Sequence, residues 1–208
     1  MKKYFVTGIG TDVGKTVASA ILVEALGADY WKPTQSGDLN QTDTMEVKNL
    51  VSNPHCSFYP ETYRLTKPLS PHAAAWHDGV QINLDNIIPP KHNRPLIIEG
   101  AGGLMVPLNN DYLIIDLIEK LNAEVILVSQ NYLGSINHTL LSVEALLKRK
   151  IPVKGIIFNG KPVDTTENFI REYTGLAVLF RIDNEQSINK QTILKYASNP
   201  KMKTKITW

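Results

Sequence analysis

The chain is short of several things at once. It holds one cysteine, Cys56, among 208 residues, which excludes an internal disulfide framework and a cysteine-cluster metal site. It also lacks charge of one sign: 22 Lys plus Arg face 20 Asp plus Glu, a formal net charge of +2. That near-balance leaves no electrostatic footprint for nucleic acid or an anionic membrane surface. No apolar run approaches the roughly 20 residues a membrane-spanning helix needs. The opening Met1-Lys2-Lys3-Tyr4-Phe5-Val6-Thr7 runs into glycines rather than a signal-peptide apolar region. A cytoplasmic protein that binds neither nucleic acid nor membrane is the expectation. Internal repeats and low-complexity tracts are missing too. What is present is 43% hydrophobic and 20% charged residues, enough for a folded core. The length suits a single α/β domain over 1–208.

Short apolar runs recur, each followed by a stretch with helical character. Tyr4-Phe5-Val6 precedes a helix over Val17 to Leu26, and Leu96-Ile97-Ile98-Glu99 precedes one over Ile114 to Leu121. Val125 to Val128 precedes Ile136 to Lys150, and Val153 to Phe158 precedes Thr165 to Tyr173. Ala177 to Phe180 precedes a last helix near Gln186 to Ala197. The strands are β-branched, apolar and uninterrupted by alternating polar residues, as in a parallel sheet covered by helices on both faces. Right-handed βαβ crossovers follow, and ligands then gather at the carboxyl ends of the strands. Residues 53 to 93 break the rhythm with Pro54, Pro60, Pro68, Pro71, Pro89 and Pro90. They read as a loop-rich excursion carrying short helices. The stretch from Lys201 to Lys205 reads as a solvated end.

Gly8-Ile9-Gly10-Thr11-Asp12-Val13-Gly14-Lys15-Thr16 lies between a strand and a helix. Glycines let the backbone curl so that successive N–H groups face a phosphate, and the helix N-terminus adds its partial positive charge. Lys15 would neutralise β- and γ-phosphates and Thr16 would offer its hydroxyl to Mg²⁺. The pattern G-x-x-x-x-G-K-S/T is missed by one residue, because Ile9 stands where its first glycine is required and Gly8 comes one position early. The alternative is a glycine-rich βα turn without a ligand.

Three further segments bear on chemistry. In Tyr30-Trp31-Lys32-Pro33-Thr34-Gln35-Ser36-Gly37, Pro33 and Gly37 bracket a turn, which aims Lys32 and Ser36 at the crevice beside the loop. In isolation Lys32 also fits a surface charge. Asp43 follows Asn40-Gln41-Thr42 and fits either a ligand or a helix N-terminal acid. Glu99 closes an apolar strand ahead of Gly100-Ala101-Gly102-Gly103, and a carboxylate buried there unpaired costs several kcal/mol. Magnesium held by phosphate oxygens, one hydroxyl and one or two carboxylates suits this set.

Taken in order, Gly8 to Thr16, Lys32-Pro33 with Ser36-Gly37, Asp43, Ser70-Pro71-His72, Glu99 to Gly103 and Leu133-Gly134-Ser135-Ile136-Asn137-His138 resemble the dethiobiotin synthetase family. The likeness covers roughly residues 3 to 160. It implies a P-loop nucleoside triphosphate hydrolase-like fold and an ATP-dependent cyclo-ligase of biotin biosynthesis. Such an enzyme joins CO₂ to 7,8-diaminopelargonic acid with ATP and Mg²⁺, through a carbamate and its mixed anhydride with phosphate. The extra residue in the phosphate loop belongs to that family's pattern. By resemblance, Lys15 contacts the phosphates and Lys32 lies over the carbamate, while Thr11 and Ser36 bind the substrate's nitrogen end. Thr16, Asp43 and Glu99 hold Mg²⁺. Asp12, Val13, Gly14, Gly100, Ala101 and Gly102 lie along the nucleotide, with Asn159 and Gly160 against its base. Gly134, Ser135 and Asn137 take the substrate's distant carboxylate across a homodimer interface, although the same stretch also fits simple helix capping.

This sequence departs from the family at a few places. Asp12 stands where the family often has glutamate, and Phe169 falls near a position where it has a substrate-contacting tyrosine. Arg181-Ile182-Asp183-Asn184 replaces a proline-containing loop. Ser70-Pro71-His72 fits a turn near the pocket better than a catalytic histidine. The rival reading is a nucleotide-dependent switch of the chromosome-partition or division-site type. Those ATPases carry a second lysine early in the phosphate loop, where this chain has Gly10.

Overall fold

The computed structural model describes residues 1–207, with the backbone alone at 201–203 and 207. Its strands are β1 (Lys3–Gly8), β2 (Asp29–Trp31), β3 (Thr34–Ser36), β4 (Phe58–Tyr59), β5 (Tyr63–Leu65), β6 (Leu96–Gly103), β7 (Glu124–Gln130), β8 (Val153–Asn159) and β9 (Val178–Ile182). The helices are α1 (Lys15–Leu26), α2 (Asp43–Leu50), α3 (Pro71–His77), α4 (Ile114–Leu121), α5 (Ser135–Lys148), α6 (Asp164–Thr174), α7 (Lys190–Ala197) and α8 (Pro200–Thr207). Seven strands join in the order β4-β2-β6-β1-β7-β8-β9, and every pairing in this sheet is parallel.

Alternation along each strand splits the core between the two faces of the sheet. Tyr4 and Val6 of β1 point to the side of Ile21 and Leu22 of α1 and Ile193 of α7. Phe5 points the other way, to Ile115 and Ile118 of α4 and Leu146 of α5. Under the far edge, Leu127, Ile156 and Phe158 pack with Val143 of α5 and Ile170 of α6. Each fully buried aliphatic or phenyl side chain contributes about 1.5–3 kcal/mol. The sheet is therefore a rigid platform whose upper edge carries the loops.

Four details differ from the sequence reading. Pro33 to Gly37 is not a plain turn: Thr34–Ser36 is extended and pairs in parallel with Tyr63–Leu65 as a separate two-stranded sheet. The excursion over 53–93 carries α3 and a 3-10 turn at Leu84–Asn86, but also supplies β4 to the edge of the main sheet. The last predicted helix begins at Lys190 rather than near Gln186, because the Asn189 side chain accepts from the backbone N–H groups of Gln191 and Thr192 and so sets the N-cap. The C-terminal stretch is helical, with Thr204 and Lys205 exposed. Ile206 is fully buried in the core of the α1 face, and its carbonyl accepts from the Tyr4 hydroxyl at 3.1 Å. The side chains of 201–203 lie outside the described residues.

Register decides what meets at the upper edge. Trp31 of β2 pairs with Ile98 of β6, Ile98 pairs with Phe5, and Glu99 with Val6. Lys32, Glu99 and the loop after β1 therefore emerge side by side on three adjacent strands.

Candidate nucleotide and substrate site

The loop between β1 and α1 curls through two left-handed residues, Asp12 at φ 58° and Gly14 at φ 91°. Aspartate tolerates that region better than most residues with a Cβ. Gly14 has no alternative, since a Cβ there would stand 2.2 Å from Asn159 Nδ2. Asn159, at the end of β8, donates to the Val13 carbonyl at 3.0 Å and ties the loop to the far half of the sheet. Lys15 opens α1 and turns back to donate to the Gly10 carbonyl at 3.1 Å. Burial holds its ammonium below the ordinary lysine range, with Glu99 pulling the other way.

Beside this loop the polar side chains form one connected group. Thr16 Oγ1 lies 3.1 Å from Asp43 Oδ1 and 3.0 Å from Glu99 Oε1; its single proton serves one of them at a time. Lys32 Nζ donates to Glu99 Oε1 at 3.1 Å and forms an ion pair with Asp43 Oδ2. Glu99 Oε2 accepts from the Tyr30 hydroxyl at 2.9 Å. Glu99 is 1% exposed and Lys32 6%, so both charges survive only because they are paired. Burial alone would depress the Lys32 ammonium, but Glu99 and then Asp43 outweigh it and lift it above the ordinary value. Asp43 is the converse: burial works against its charge, while Lys32 holds its carboxyl below the usual range. Asp43 opens α2 behind Thr42, whose hydroxyl accepts from the Met45 N–H at 3.3 Å, so it sits at the helix's positive end.

These residues border a cavity of about 1030 Å³, large enough for a nucleotide with a small second substrate. Among the predicted residues, Thr11, Asp12, Gly14, Lys15, Thr16, Lys32, Ser36, Asp43, Glu99, Ala101 and Gly102 line it. Ser36 Oγ is buried without a hydrogen-bond partner among the described residues. Val13 is buried behind the loop. Gly100 turns away: a Cβ there would lie 2.6 Å from the Phe5 ring, so its smallness serves the core. β6 also continues past Glu99 to Gly103, so that carboxylate rises from within a strand rather than from its end.

Other predicted residues lie outside the cavity lining. Gly160 follows Asn159 at the top of β8 and donates to the Ile182 carbonyl at 2.9 Å. Gly134 is the N-cap of α5 at φ 103°, with no side-chain cap. Asn137 is exposed and Ser135 is buried with an unpartnered hydroxyl. Side-chain capping by Ser or Asn is thus not what this stretch does. Ser70 and Pro71 reach the cavity, whereas His72 is exposed and contacts Ser70 Oγ at 3.0 Å. Phe169 stands on the surface, stacked on Tyr173 with centroids 5.7 Å apart. Arg181 braces the top of β8 by donating to the Gly160 carbonyl at 2.7 Å.

Sequence reasoning passed over Tyr30, Thr34, Gln35 and Glu46. Gln35 Oε1 accepts from the Asp43 N–H at 3.4 Å. Thr34 lines the cavity with an unpartnered hydroxyl. Glu46 stands one turn beyond Asp43 on the cavity wall, and burial together with Asp43 and Glu99 raises its carboxyl. Thr34 and Gln35 lie inside the Lys32–Gly37 motif, where a signal existed. Glu46 had one in its i, i+3 spacing from Asp43.

No cluster of three or more His, Cys, Asp or Glu forms among the described residues. The donor set of Thr16, Asp43 and Glu99 is all oxygen, with two carboxylates. That chemistry fits Mg²⁺, which fills its octahedron with phosphate oxygens and water.

A family model described as an AAA domain matches residues 2–192. An ATP-dependent dethiobiotin synthetase BioD of Christiangramia forsetii is 53% identical over 196 residues, 94% of each chain. The protein of that name from Cytophaga hutchinsonii is 50% identical over 95% of this chain and 96% of its own. The chain belongs to the ATP-dependent dethiobiotin synthetase family. Solved structures add the fold alone. The septum site-determining protein MinD of Pyrococcus horikoshii superposes with TM-score 0.62 at 14% identity, covering 99% of this chain and 92% of that one. A ParA family ATPase of Chlorobium tepidum gives 0.57 at 14% identity, over 99% and 96%. The chain thus shares its sheet with partition and division-site ATPases but its sequence with dethiobiotin synthetases, and the switch reading is not favoured.

Proposed function

We infer that the chain is an ATP-dependent dethiobiotin synthetase, and we assign its residues as follows. The observation that carries the assignment is the convergence of Lys32 and Thr16, each within 3.1 Å of both Asp43 and Glu99, at the mouth of a phosphate loop. An anionic carbamate must meet the γ-phosphate of an anionic nucleotide, and like charges repel. Preorganised cations between them favour the charge distribution of phosphoryl transfer.

Lys15 and the N–H groups of Asp12, Val13, Gly14 and Thr16 cradle the phosphates. One amine of the substrate adds to CO₂, losing a proton, to give the carbamate; Lys32 stands over it and neutralises it as a carbamate oxygen attacks the γ-phosphorus and displaces ADP. Thr11 and Ser36 orient the diamine end of 7,8-diaminopelargonic acid. Its second amine then attacks the activated carbonyl, closing the urea ring and expelling phosphate. Thr16, Asp43 and Glu99 would hold Mg²⁺, which supplies charge neutralisation at the β- and γ-phosphates. Ala101 and Gly102 border the nucleotide, Gly100 backs them from the core, and Asn159 with Gly160 faces the base.

We further propose one domain over the whole chain, working in the cytoplasm as a homodimer. No helix among the described residues is long and apolar enough to cross a membrane. Leu133, Leu141 and Leu147 on and before α5 are exposed, apolar surface that a second copy would cover. Gly134, Ser135 and Asn137 would then complete the partner's site at the substrate carboxylate.

The decisive experiment incubates the protein with 7,8-diaminopelargonic acid, bicarbonate, Mg²⁺ and each nucleoside triphosphate, and follows the cyclic urea by mass spectrometry. Dethiobiotin formed in step with ADP supports the assignment. Nucleotide hydrolysis without a cyclic product would overturn it.

A further inference from the structure

We propose that Tyr30 is a positioning residue of this site: its phenol, reaching up from the core, fixes which oxygen of Glu99 faces the cation. The inference rests on Glu99 being a metal ligand.

Tyr30 is fully buried on β2, its ring tilted against Phe58 with centroids 6.3 Å apart. Two residues on, Lys32 lies on the same side of the strand by the pleat. Tyr30 pairs in register with Ile97 of β6, and Glu99 lies two residues beyond Ile97. The pleat therefore sets a phenol and an ammonium one above the other, and both reach the same carboxylate. The phenol donates to Oε2 at 2.9 Å, while Thr16 and Lys32 meet Oε1 at 3.0 and 3.1 Å. Oε2 is thus committed to the core, and Oε1 alone is presented to the cation side.

A carboxylate on a flexible side chain could offer either oxygen or both. Pinning one removes that freedom before the metal arrives, and outer partners of this kind commonly set affinity for the metal. The phenol's one proton is directed at Oε2, so it serves as a donor.

The test titrates Mg²⁺ into the ADP complex of the wild type, Tyr30→Phe and Glu99→Gln by calorimetry, with ADP binding in EDTA as the control. Tyr30→Phe is expected to raise the Mg²⁺ concentration at half-effect about tenfold and to leave ADP affinity in EDTA unchanged. Glu99→Gln is expected to lose most of the Mg²⁺ enhancement. If Glu99→Gln behaves so while Tyr30→Phe titrates like wild type, the role of Tyr30 is refuted. If Tyr30→Phe weakens ADP equally with and without Mg²⁺, Tyr30 is merely structural and the proposal also falls. If Glu99→Gln itself keeps the wild-type Mg²⁺ dependence, the metal reading fails instead. Should Tyr30→Phe not fold, 3-fluorotyrosine placed at position 30 reports directly. Its ¹⁹F resonance is expected to shift when Mg²⁺ joins the ADP complex and to return with EDTA; an unmoved resonance overturns the proposal.

Discussion

Replacing Lys32 by methionine keeps the stem of the side chain and deletes its charge. In the free protein that ammonium is the cation between Asp43 and Glu99, and Glu99 is 1% exposed. Removing one partner of a buried ion pair costs about 3–5 kcal/mol, because the other charge is left uncompensated. The loss is expected at the lower end, since Tyr30 and Thr16 still donate to Glu99 and Asp43 keeps 27% of its side chain in water. Stability of that order is survivable for a domain of 5–15 kcal/mol.

The pH dependence has a definite sign. Asp43 is held below its ordinary value, so its stabilisation is present above the unfolded carboxyl pKa and lost as pH falls through the folded one. Lys32 is held above its ordinary value, so its contribution is full below the unfolded lysine pKa and lost as pH rises through the folded one. The penalty of Lys32→Met should therefore be largest between about pH 4 and 10 and shrink in stronger acid, where Asp43 protonates. Mg²⁺ with ADP replaces the missing charge, so the variant should gain more from it than the wild type does. Denaturant melts at pH 7 and about pH 3, and at pH 7 with and without Mg²⁺·ADP, measure each of these. Turnover should fall about 10²–10³-fold or more, the loss typical of one preorganised electrostatic group. A penalty independent of both pH and Mg²⁺ would refute the reasoning, as would a parallel collapse of nucleotide binding.

Lys15→Gln is expected to abolish ATP turnover while leaving the circular dichroism spectrum intact; unchanged turnover would remove the loop from the reaction. Gly14→Ala should destabilise the loop by more than about 1 kcal/mol, from the left-handed backbone and the contact with Asn159. Asn159→Ala should recover part of that loss in denaturant melts, and an additive double variant would show that the contact is not the cause. Leu141→Glu with Leu147→Glu should yield monomers by light scattering that bind ATP yet make little dethiobiotin. A fully active monomer would refute the cross-subunit carboxylate site.

Much of the fold was legible because buried parallel strands announce themselves. The runs at Tyr4–Val6, Val125–Val128 and Ile156–Phe158 are apolar at every position, and β1, β7 and β8 lie there. β3, β4 and β5 were hidden, for strands of two or three residues carry no period to read. Their existence depends on partners brought from elsewhere in the chain. In the site, Lys15, Thr16, Lys32, Asp43 and Glu99 were legible from motif and spacing, and they line one cavity. At Gly100 the sequence did not show the Phe5 ring that a Cβ would meet, because a glycine near a ligand and a glycine against a phenylalanine ring look alike in sequence.

What the residues determined by themselves was composition-level and local: a strand, a glycine-rich bend, a lysine at the start of a helix, a carboxylate in an apolar run. Register and sheet order decided the rest. With β2, β6 and β1 adjacent, Tyr30, Lys32 and Glu99 meet across 67 to 69 residues of chain. No pattern along one dimension encodes which oxygen of Glu99 a buried phenol will claim, since that contact is set by the pleat of two strands brought together by the core.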